Sequence, residues 1–160
     1  MKKFQKIFAI ICALTLIICS VPMSAIATAA ADVWDGTSDT SWFDSTDVKA
    51  EYTLTTAEQL AGLAVLVNEG NTFKNTTVKL DSDLDLENKE WVPIGNASNK
   101  FSGNFDGQEN VINNLTINGS MDYDNGTGTH YVGLFGYVNN GGYIKNITIE
   151  NAKITGCLYV

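Results

Sequence analysis

The chain has 160 residues, of which 44% are hydrophobic and 18% are charged, with 18 Asp and Glu residues against 10 Lys and no Arg. Because a domain usually takes about 100 to 200 residues, this length holds one folded unit and not two. The formal net charge of −8 leaves the chain without the basic surface that a phosphate backbone requires, so we expect no nucleic acid partner.

The N-terminal region, residues 1–31, has the three-part pattern of a secretory signal peptide. Three lysines precede an apolar run over residues 7–19, which is too short to cross a bilayer because a spanning helix needs about 20 residues. An alanine-rich stretch at residues 25–31 then offers overlapping A-x-A cleavage sites. We therefore expect this leader to be removed and the mature chain to be secreted or extracellular, or associated with the cell wall, without membrane insertion.

Cysteine usage limits how the mature chain is stabilised. Cys12 and Cys19 lie in the predicted leader, which leaves Cys157 as the only cysteine of residues 32–160. One cysteine cannot form an internal disulfide, so core packing or the stacking of repeated units has to stabilise the fold. We interpret Cys157 as a core-facing thiol.

The mature chain begins with a polar segment, residues 32–52, which we interpret as a loop with an edge strand. A capping helix is predicted within residues 53–70. Thr55 and Glu58 have the spacing of a capping box, in which each side chain bonds the other residue's backbone amide, and Gly70 is placed to end the helix in a left-handed conformation. Between them, four apolar residues recur on one helical stripe: Leu60, Leu63, Ala64 and Val67.

The remainder of the chain, residues 71–160, contains short segments with alternating apolar residues, separated by Gly, Asn and Asp. This pattern is typical of short β-strands joined by tight turns, so the fold class is predicted to be all-β. The predicted strands are Val78–Leu80, Leu84–Leu86, Val111–Ile112, Leu115–Ile117, Tyr143–Ile144 and Ile147–Ile149.

An internal repeat favours stacked coils over an ordinary sandwich. Residues 112–117 match residues 144–149 with an offset of 32, and the polar residues 120–129 are interpreted as an inserted loop, which leaves a unit of about 22 residues. Asn114 and Asn146 are predicted to occupy equivalent corners, because Asn tolerates left-handed backbone and forms bonds along a ladder. An antiparallel sandwich with chance similarity is the alternative.

The second copy of the repeat carries a family resemblance. Tyr131–Val138 followed by Gly142–Ile149 resembles the GLUG-type repeat of large bacterial surface proteins. Trp91–Gly95 with Phe101–Gly107 resembles the unit that commonly precedes such repeats, and residues 56–63 are similar to the capping helix of these proteins. The resemblance implies a right-handed parallel β-helix, a solenoid, closed at its N-terminal end by the single short helix.

Members of this family are adhesins, cell-wall-bound repeat proteins and a few extracellular enzymes, including immunoglobulin A peptidases that carry such repeats outside their catalytic domain. The resemblance implies a structural or adhesive module that presents loops to an extracellular protein or glycan, with residues 120–129 as the most exposed loop. Residues 154–160 begin a further coil that has no polar cover. We expect the β-helix to be truncated at its C-terminus and to self-associate through the uncapped coil.

Four carboxylates alternate along one predicted strand: Asp81, Asp83, Asp85 and Glu87. Alternate residues of a strand share a face, and oxygen ligands gathered there are of the type that binds calcium. However, Leu84 and Leu86 lie between the acids, and no Gly occupies the sharp-turn position of a calcium loop. We interpret the acids as a solvated outer face over buried leucines and predict no metal site.

No residue pattern predicts a catalytic site. His130 is the only histidine and has no nucleophile and orienting acid beside it, and Cys157 would need that same histidine as its activator. Asp122 and Asp124 form the one acid pair suited to sugar hydrolysis, although loop acids flanked by Gly and Asn usually form turns. We predict no enzyme and no cofactor. A polysaccharide hydrolase and the non-catalytic repeat region of an extracellular peptidase are the alternatives.

Export of the full chain from a bacterial host should release a protein whose first residue lies between Thr28 and Asp32, because the overlapping A-x-A sites are found there. N-terminal sequencing of the secreted protein measures this. A mature secreted form that still begins at Met1 would show that the segment is an uncleaved N-terminal anchor.

Overall fold

A computed structural model of the protein describes residues 32–118 and 132–155. The predicted leader, the predicted loop 120–129 and residues 156–160 lie outside these described residues. Within them the chain forms one helix and ten short strands. In chain order they are β1 (Asp32–Val33), β2 (Glu51–Leu54), α1 (Ala57–Asn68), β3 (Thr77–Leu80), β4 (Leu84–Asp85), β5 (Asn104–Asp106), β6 (Val111–Asn113), β7 (Thr116–Asn118), β8 (Tyr143–Lys145), β9 (Thr148–Glu150) and β10 (Lys153–Thr155).

The strands form three parallel sheets. The first sheet has the order β2-β3-β5-β8, the second has the order β1-β4-β6-β9, and the third pairs β7 with β10. From β5 onward, the described chain contributes to the first, second and third sheets in turn, and then repeats that order. The prediction of an all-β fold with one short helix is confirmed. The antiparallel sandwich is wrong for the described residues, because every strand pairing among them is parallel.

Strand register sets the length of the structural unit. Leu84 pairs with Ile112 in the second sheet, a spacing of 28 residues, and the matching step in the first sheet is 27 residues. In the next unit, which contains the predicted loop, Ile112 pairs with Ile149, a spacing of 37 residues. The predicted unit of about 22 residues is therefore wrong, and so is the alignment of Ile112 with Ile144.

The sequence repeat reflects one corner motif that is used at two different corners. Asn114 follows β6 and Asn146 follows β8, and both have left-handed backbone, with φ of 60° and 53°. Each side-chain amide donates to the Asp that ends the neighbouring strand, Asn114 to Asp85 at 2.8 Å and Asn146 to Asp106 at 3.0 Å. The predicted left-handed backbone is confirmed, but the predicted equivalence is wrong, because Asn151 (φ 53°) follows β9 and is the counterpart of Asn114.

Apolar side chains stack in register inside the sheets. Tyr52, Val78 and Phe105 are successive neighbours in the first sheet, and Leu84 and Ile112 are neighbours in the second. Each of these side chains is at most 8% exposed, and the residues on either side of each in its strand face outward. Burying one such side chain contributes about 1.5–3 kcal/mol, so these stacks are the main stabilising feature of the sheets.

Three short turns of the form Asp-x-Ser/Thr shape the segment between β1 and β2. In each turn the carboxylate accepts hydrogen bonds from the residue two positions later: Asp35 from Thr37, Asp39 from Ser41 and Asp44 from Thr46. These hydrogen bonds, from the side chain first and then the backbone, lower the pKa of all three carboxyl groups. The stabilisation is present above the unfolded pKa near 3.8 and is lost as the pH falls through the lower folded values.

The helix begins one residue later than the predicted capping box requires. Thr56 is the N-cap, and its side chain accepts a hydrogen bond from the Gln59 amide at 3.3 Å. The Gln59 side chain in turn accepts from the Thr55 amide at 2.8 Å. Glu58, which the capping box predicts to bond the Thr55 amide, instead accepts a hydrogen bond from the Asp35 amide at 3.2 Å. Two consecutive threonines followed by Glu and Gln allow both registers, and the fold selects the second.

The other end of α1 confirms the predicted stop. Gly70 has a φ of 109°, its amide donates to the Val67 carbonyl, and the Asn71 amide donates to the Leu66 carbonyl. This pair of hydrogen bonds is a Schellman motif, which needs left-handed backbone at the glycine. The four residues of the predicted apolar stripe are all buried: Leu60, Leu63, Ala64 and Val67.

The segment before β2 packs directly on the helix. A Cβ at Gly62 would lie 1.9 Å from the Asp39 carbonyl oxygen, so only glycine allows this approach. The Asp39 amide donates to the Glu58 carbonyl at 2.8 Å, and the Trp42 indole donates to the Asp39 carbonyl at 2.9 Å. The segment between β1 and β2 is thereby fixed to one face of α1.

Substitutions at Asn114 should separate the backbone contribution from the hydrogen bond. Asn114→Ala removes the bond to Asp85 and leaves an unfavourable left-handed residue, so we expect a loss of about 2–3 kcal/mol. Asn114→Gly removes only the bond and should lose about 1 kcal/mol. Equilibrium urea unfolding measures both changes, with Ser98→Ala in an exposed turn as the neutral control. Equal losses for Ala and Gly would contradict a backbone role for this corner.

Candidate binding site

The alternating acids lie on the outer surface, as the sequence predicted, and the leucines between them are fully buried. The Asp83 carboxylate accepts a hydrogen bond from the Val111 amide at 2.8 Å. Asp85 accepts from the Glu87 amide and from the Asn114 side chain, both at 2.8 Å. These two carboxylates are therefore occupied as acceptors for backbone amides and for the Asn114 side chain at the corner after β6. Over residues 32–118 and 132–155, no three His, Cys, Asp or Glu side chains converge on a point that would hold a metal ion.

The candidate catalytic residues of the sequence cannot be assembled into a site from the described part of the chain. Asp122 and Asp124, the acid pair considered for sugar hydrolysis, lie outside the described residues, as do His130 and Cys157. The interpretation of Asp122 and Asp124 as turn formers and of Cys157 as a core-facing thiol stays a prediction.

One groove of about 440 Å³ lies between α1, the segment after β1 and the turn before Ile94. Its floor is formed by Trp34 and Trp91, whose rings pack edge to face with centroids 5.6 Å apart. The Trp34 indole N–H donates to the Thr37 carbonyl at 2.6 Å, and the Trp91 indole N–H donates to the Leu134 carbonyl at 3.1 Å. Trp34 is 5% and Trp91 2% exposed, so neither ring has a free face that a ligand could contact. We therefore interpret the groove as a packing gap beside the core and not as a binding site.

A second concavity, of about 230 Å³, is polar and lies where three turns lead into β3, β5 and β8, neighbouring strands of the first sheet. We call it the amide cleft. It is lined by Lys74, Asn75, Ser102, Asn104, Asn139, Asn140 and Gly141. These residues are up to 67 positions apart in the chain, and only the pairing of the strands brings them together.

Backbone contacts hold the three turns of the amide cleft against one another. The Ser102 amide donates to the Thr72 carbonyl at 2.8 Å, and the Asn139 amide donates to the Phe101 carbonyl at 2.7 Å. A Cβ at Gly103 would lie 2.6 Å from the carbonyl oxygen of Phe73, so glycine is required for this approach. The walls of the cleft are therefore fixed by the backbone and do not depend on its side chains.

The polar side chains of the amide cleft are largely unused within the fold. The Asn139 amide group donates to the Ser102 hydroxyl at 3.3 Å. With the described residues, the side chains of Asn75, Asn104 and Asn140 form no hydrogen bond and the Lys74 ammonium group forms no ion pair. Each amide supplies two donors and an acceptor oxygen, so the cleft presents neutral hydrogen-bonding groups of both kinds to a ligand.

Sequence reasoning missed the amide cleft, although a signal for it was present. Asn, Ser and Gly residues stand within three positions before the start of each of three strands that pair with one another. Each cluster alone is typical of a turn, and only the correct unit length shows that the three clusters coincide.

Comparisons with known proteins give two partial matches. Halomucin of Haloquadratum walsbyi is 32% identical over 111 residues, which is 62% of this chain and 1% of that protein. A protein of Evansella cellulosilytica provisionally named Gly-rich membrane protein is 30% identical over 105 residues, 65% of this chain and 11% of that protein. The chain thus spans a small fraction of the length of these relatives. No family model and no solved structure matches the chain.

In the part of the chain that the structure describes, no helix is long and apolar enough to cross a bilayer.

Proposed function

We propose that the protein is a secreted or cell-surface module with a right-handed parallel β-helix fold, which presents its turns outward and binds an extracellular glycan without catalysis. The fold proposal is supported by three parallel sheets to which the chain returns in a fixed order, with apolar residues stacked between them. Right-handedness is supported by the strong preference of parallel crossover connections for that hand. The GLUG-type resemblance of Tyr131–Val138 and Gly142–Ile149 points in the same direction.

The location is supported by the predicted leader and by the names of the relatives. The name halomucin favours an extracellular or surface setting for that relative. The name of the Evansella cellulosilytica protein describes it as a membrane protein. An acidic, arginine-free chain that keeps a single cysteine after leader removal is compatible with an exported protein that relies on packing.

The amide cleft is the observation that carries the ligand assignment. Amide and hydroxyl groups pair well with the neighbouring hydroxyls of a sugar, because each group both donates and accepts. A volume of about 230 Å³ lies below the range of about 300–1,000 Å³ typical of larger small-molecule sites, so the cleft suits a single sugar unit of a longer chain. The walls are fixed by backbone hydrogen bonds, so little ordering cost accompanies binding.

A binding measurement on polysaccharides tests the proposal. The full chain should bind at least one member of a panel of neutral and acidic polysaccharides on an array. The double variant Asn104→Ala with Asn140→Ala should weaken that binding about fivefold per hydrogen bond lost, since each is worth about 1 kcal/mol. Asn118→Ala, at an exposed position on the third sheet, is the matched control and should bind as the wild type does. Equal loss in both variants would contradict the cleft assignment.

The same panel tests the absence of catalysis. We expect incubation with the polysaccharides that bind, with and without calcium, to release no new reducing ends and no unsaturated products. The sequence has no arginine, and its one candidate acid pair lies in a segment typical of turns. Turnover would favour the hydrolase alternative and would direct attention to Asp122 and Asp124.

A further inference from the structure

Lysines are scarce in this acidic chain, and nearly all of those in the described residues have a partner within the fold. Residues 32–118 and 132–155 contain seven lysines. Six of them contact a carboxylate, a backbone carbonyl, a side-chain amide or an aromatic ring: Lys49, Lys79, Lys89, Lys100, Lys145 and Lys153. The seventh, Lys74, forms no ion pair or hydrogen bond with the described residues. It is also the one charged residue in the lining of the amide cleft.

The surroundings of the amide cleft contain no acid that is left to pair with Lys74. The turns that lead into β3, β5 and β8, residues 71–76, 96–103 and 139–142, have no Asp or Glu, although acids outnumber lysines in the chain. Two strands of the first sheet carry an acid, and each acid pairs with a lysine of the next strand: Glu51 with Lys79 at 2.7 Å and Asp106 with Lys145 at 3.0 Å.

The pair on β5 and β8 is firmly ionised. The hydrogen bond from Lys145 holds the pKa of Asp106 below its usual value, and the same contact raises the pKa of Lys145. Asp106 also accepts hydrogen bonds from the Gln108 amide and the Asn146 side chain. This acid is therefore satisfied within the fold, and the cleft keeps the positive charge of Lys74.

We propose that the amide cleft selects an acidic sugar, a uronic acid unit, whose carboxylate binds the Lys74 ammonium group while its hydroxyls bond the side-chain amides. This inference rests on the proposed glycan binding and names the class of sugar. A neutral sugar gains nothing from the charge, whereas a carboxylate forms a charge-assisted hydrogen bond, which is roughly twice as strong as a neutral one. A uronic acid carries its carboxylate and hydroxyls on one ring, so a cleft of about 230 Å³ can contact both.

A single lysine in an acidic chain favours a sparsely charged glycan over a densely sulfated one. Recognition of heparin-like chains uses clusters of Lys and Arg. This chain has no Arg and a formal net charge of −8, so a polyanion that extends beyond the cleft is repelled. A polysaccharide in which uronic acid alternates with neutral sugars places one carboxylate at the cleft and uncharged hydroxyls on either side.

Carboxyl reduction of the ligand tests the charge requirement. Oligosaccharides that contain glucuronic or galacturonic acid should bind the secreted full chain about tenfold more tightly than their carboxyl-reduced forms, the effect of one hydrogen bond to a charged group. Reduction replaces the carboxylate by a neutral CH₂OH group and leaves the ring hydroxyls in place. Titration calorimetry measures both forms, and added salt should shrink the difference. Equal affinities, binding of neither form, or tighter binding of dextran sulfate would overturn the assignment.

Substitutions at Lys74 test the residue itself. Lys74→Gln should lower the affinity for the uronic acid oligosaccharides about tenfold and leave the affinity for the carboxyl-reduced forms unchanged. Lys74→Arg keeps the charge and should keep the preference for the acidic form. Lys153→Gln removes the same charge from an exposed position on the third sheet, so it is the matched control and should bind as the wild type does. Circular dichroism checks that each variant is folded.

This inference and the proposed glycan binding fail in different ways. If the double variant Asn104→Ala with Asn140→Ala weakens binding while Lys74→Gln does not, the cleft binds a glycan but does not select an acidic one, and the inference is wrong. If the double variant binds as the wild type does, the cleft is not the glycan site, and both proposals are wrong.

Discussion

The in-register stacking of apolar side chains between parallel strands is the constraint on which the rest of the structure depends. Leu84 lies beside Ile112 and Ile112 beside Ile149, and the first two are fully buried. A slip of one residue would turn both buried side chains to the solvent face, at a cost of about 1.5–3 kcal/mol per side chain. The register is thereby fixed, and with it the position of every turn between the strands.

The functional proposals are consequences of that register. Turns that lead into β3, β5 and β8 coincide because their strands pair, and this coincidence creates the amide cleft from residues as distant as Lys74 and Asn140. One regular arrangement thus places the residues of the proposed ligand site along its side.

Local features could be predicted from the sequence, and long-range equivalences could not. Period-two alternation predicted β3, β4, β6, β7, β8 and β9 and the buried leucines, but it missed β5 and β10. Asn114 has the left-handed backbone expected at a corner. The unit length was misjudged because the segments around Asn114 and Asn146 are alike but lie at different corners, so sequence similarity matched the wrong positions. The capping register was misjudged by one residue because Thr55 and Thr56 are both good caps, and only tertiary contacts of Glu58 choose between them.

The register of the second sheet is the central claim, and engineered cysteine pairs measure it directly. In a Cys157→Ser background, Val111→Cys with Thr148→Cys should form an intramolecular disulfide on mild oxidation, because neighbouring parallel strands lie about 4.8 Å apart, within disulfide range. Val111→Cys with Tyr143→Cys, the pair that the sequence repeat aligns, should stay reduced, because Tyr143 pairs with Asn104 in the first sheet. Mass spectrometry of the oxidised proteins should find a cross-link only in the first pair, and a cross-link only in the second would contradict the account.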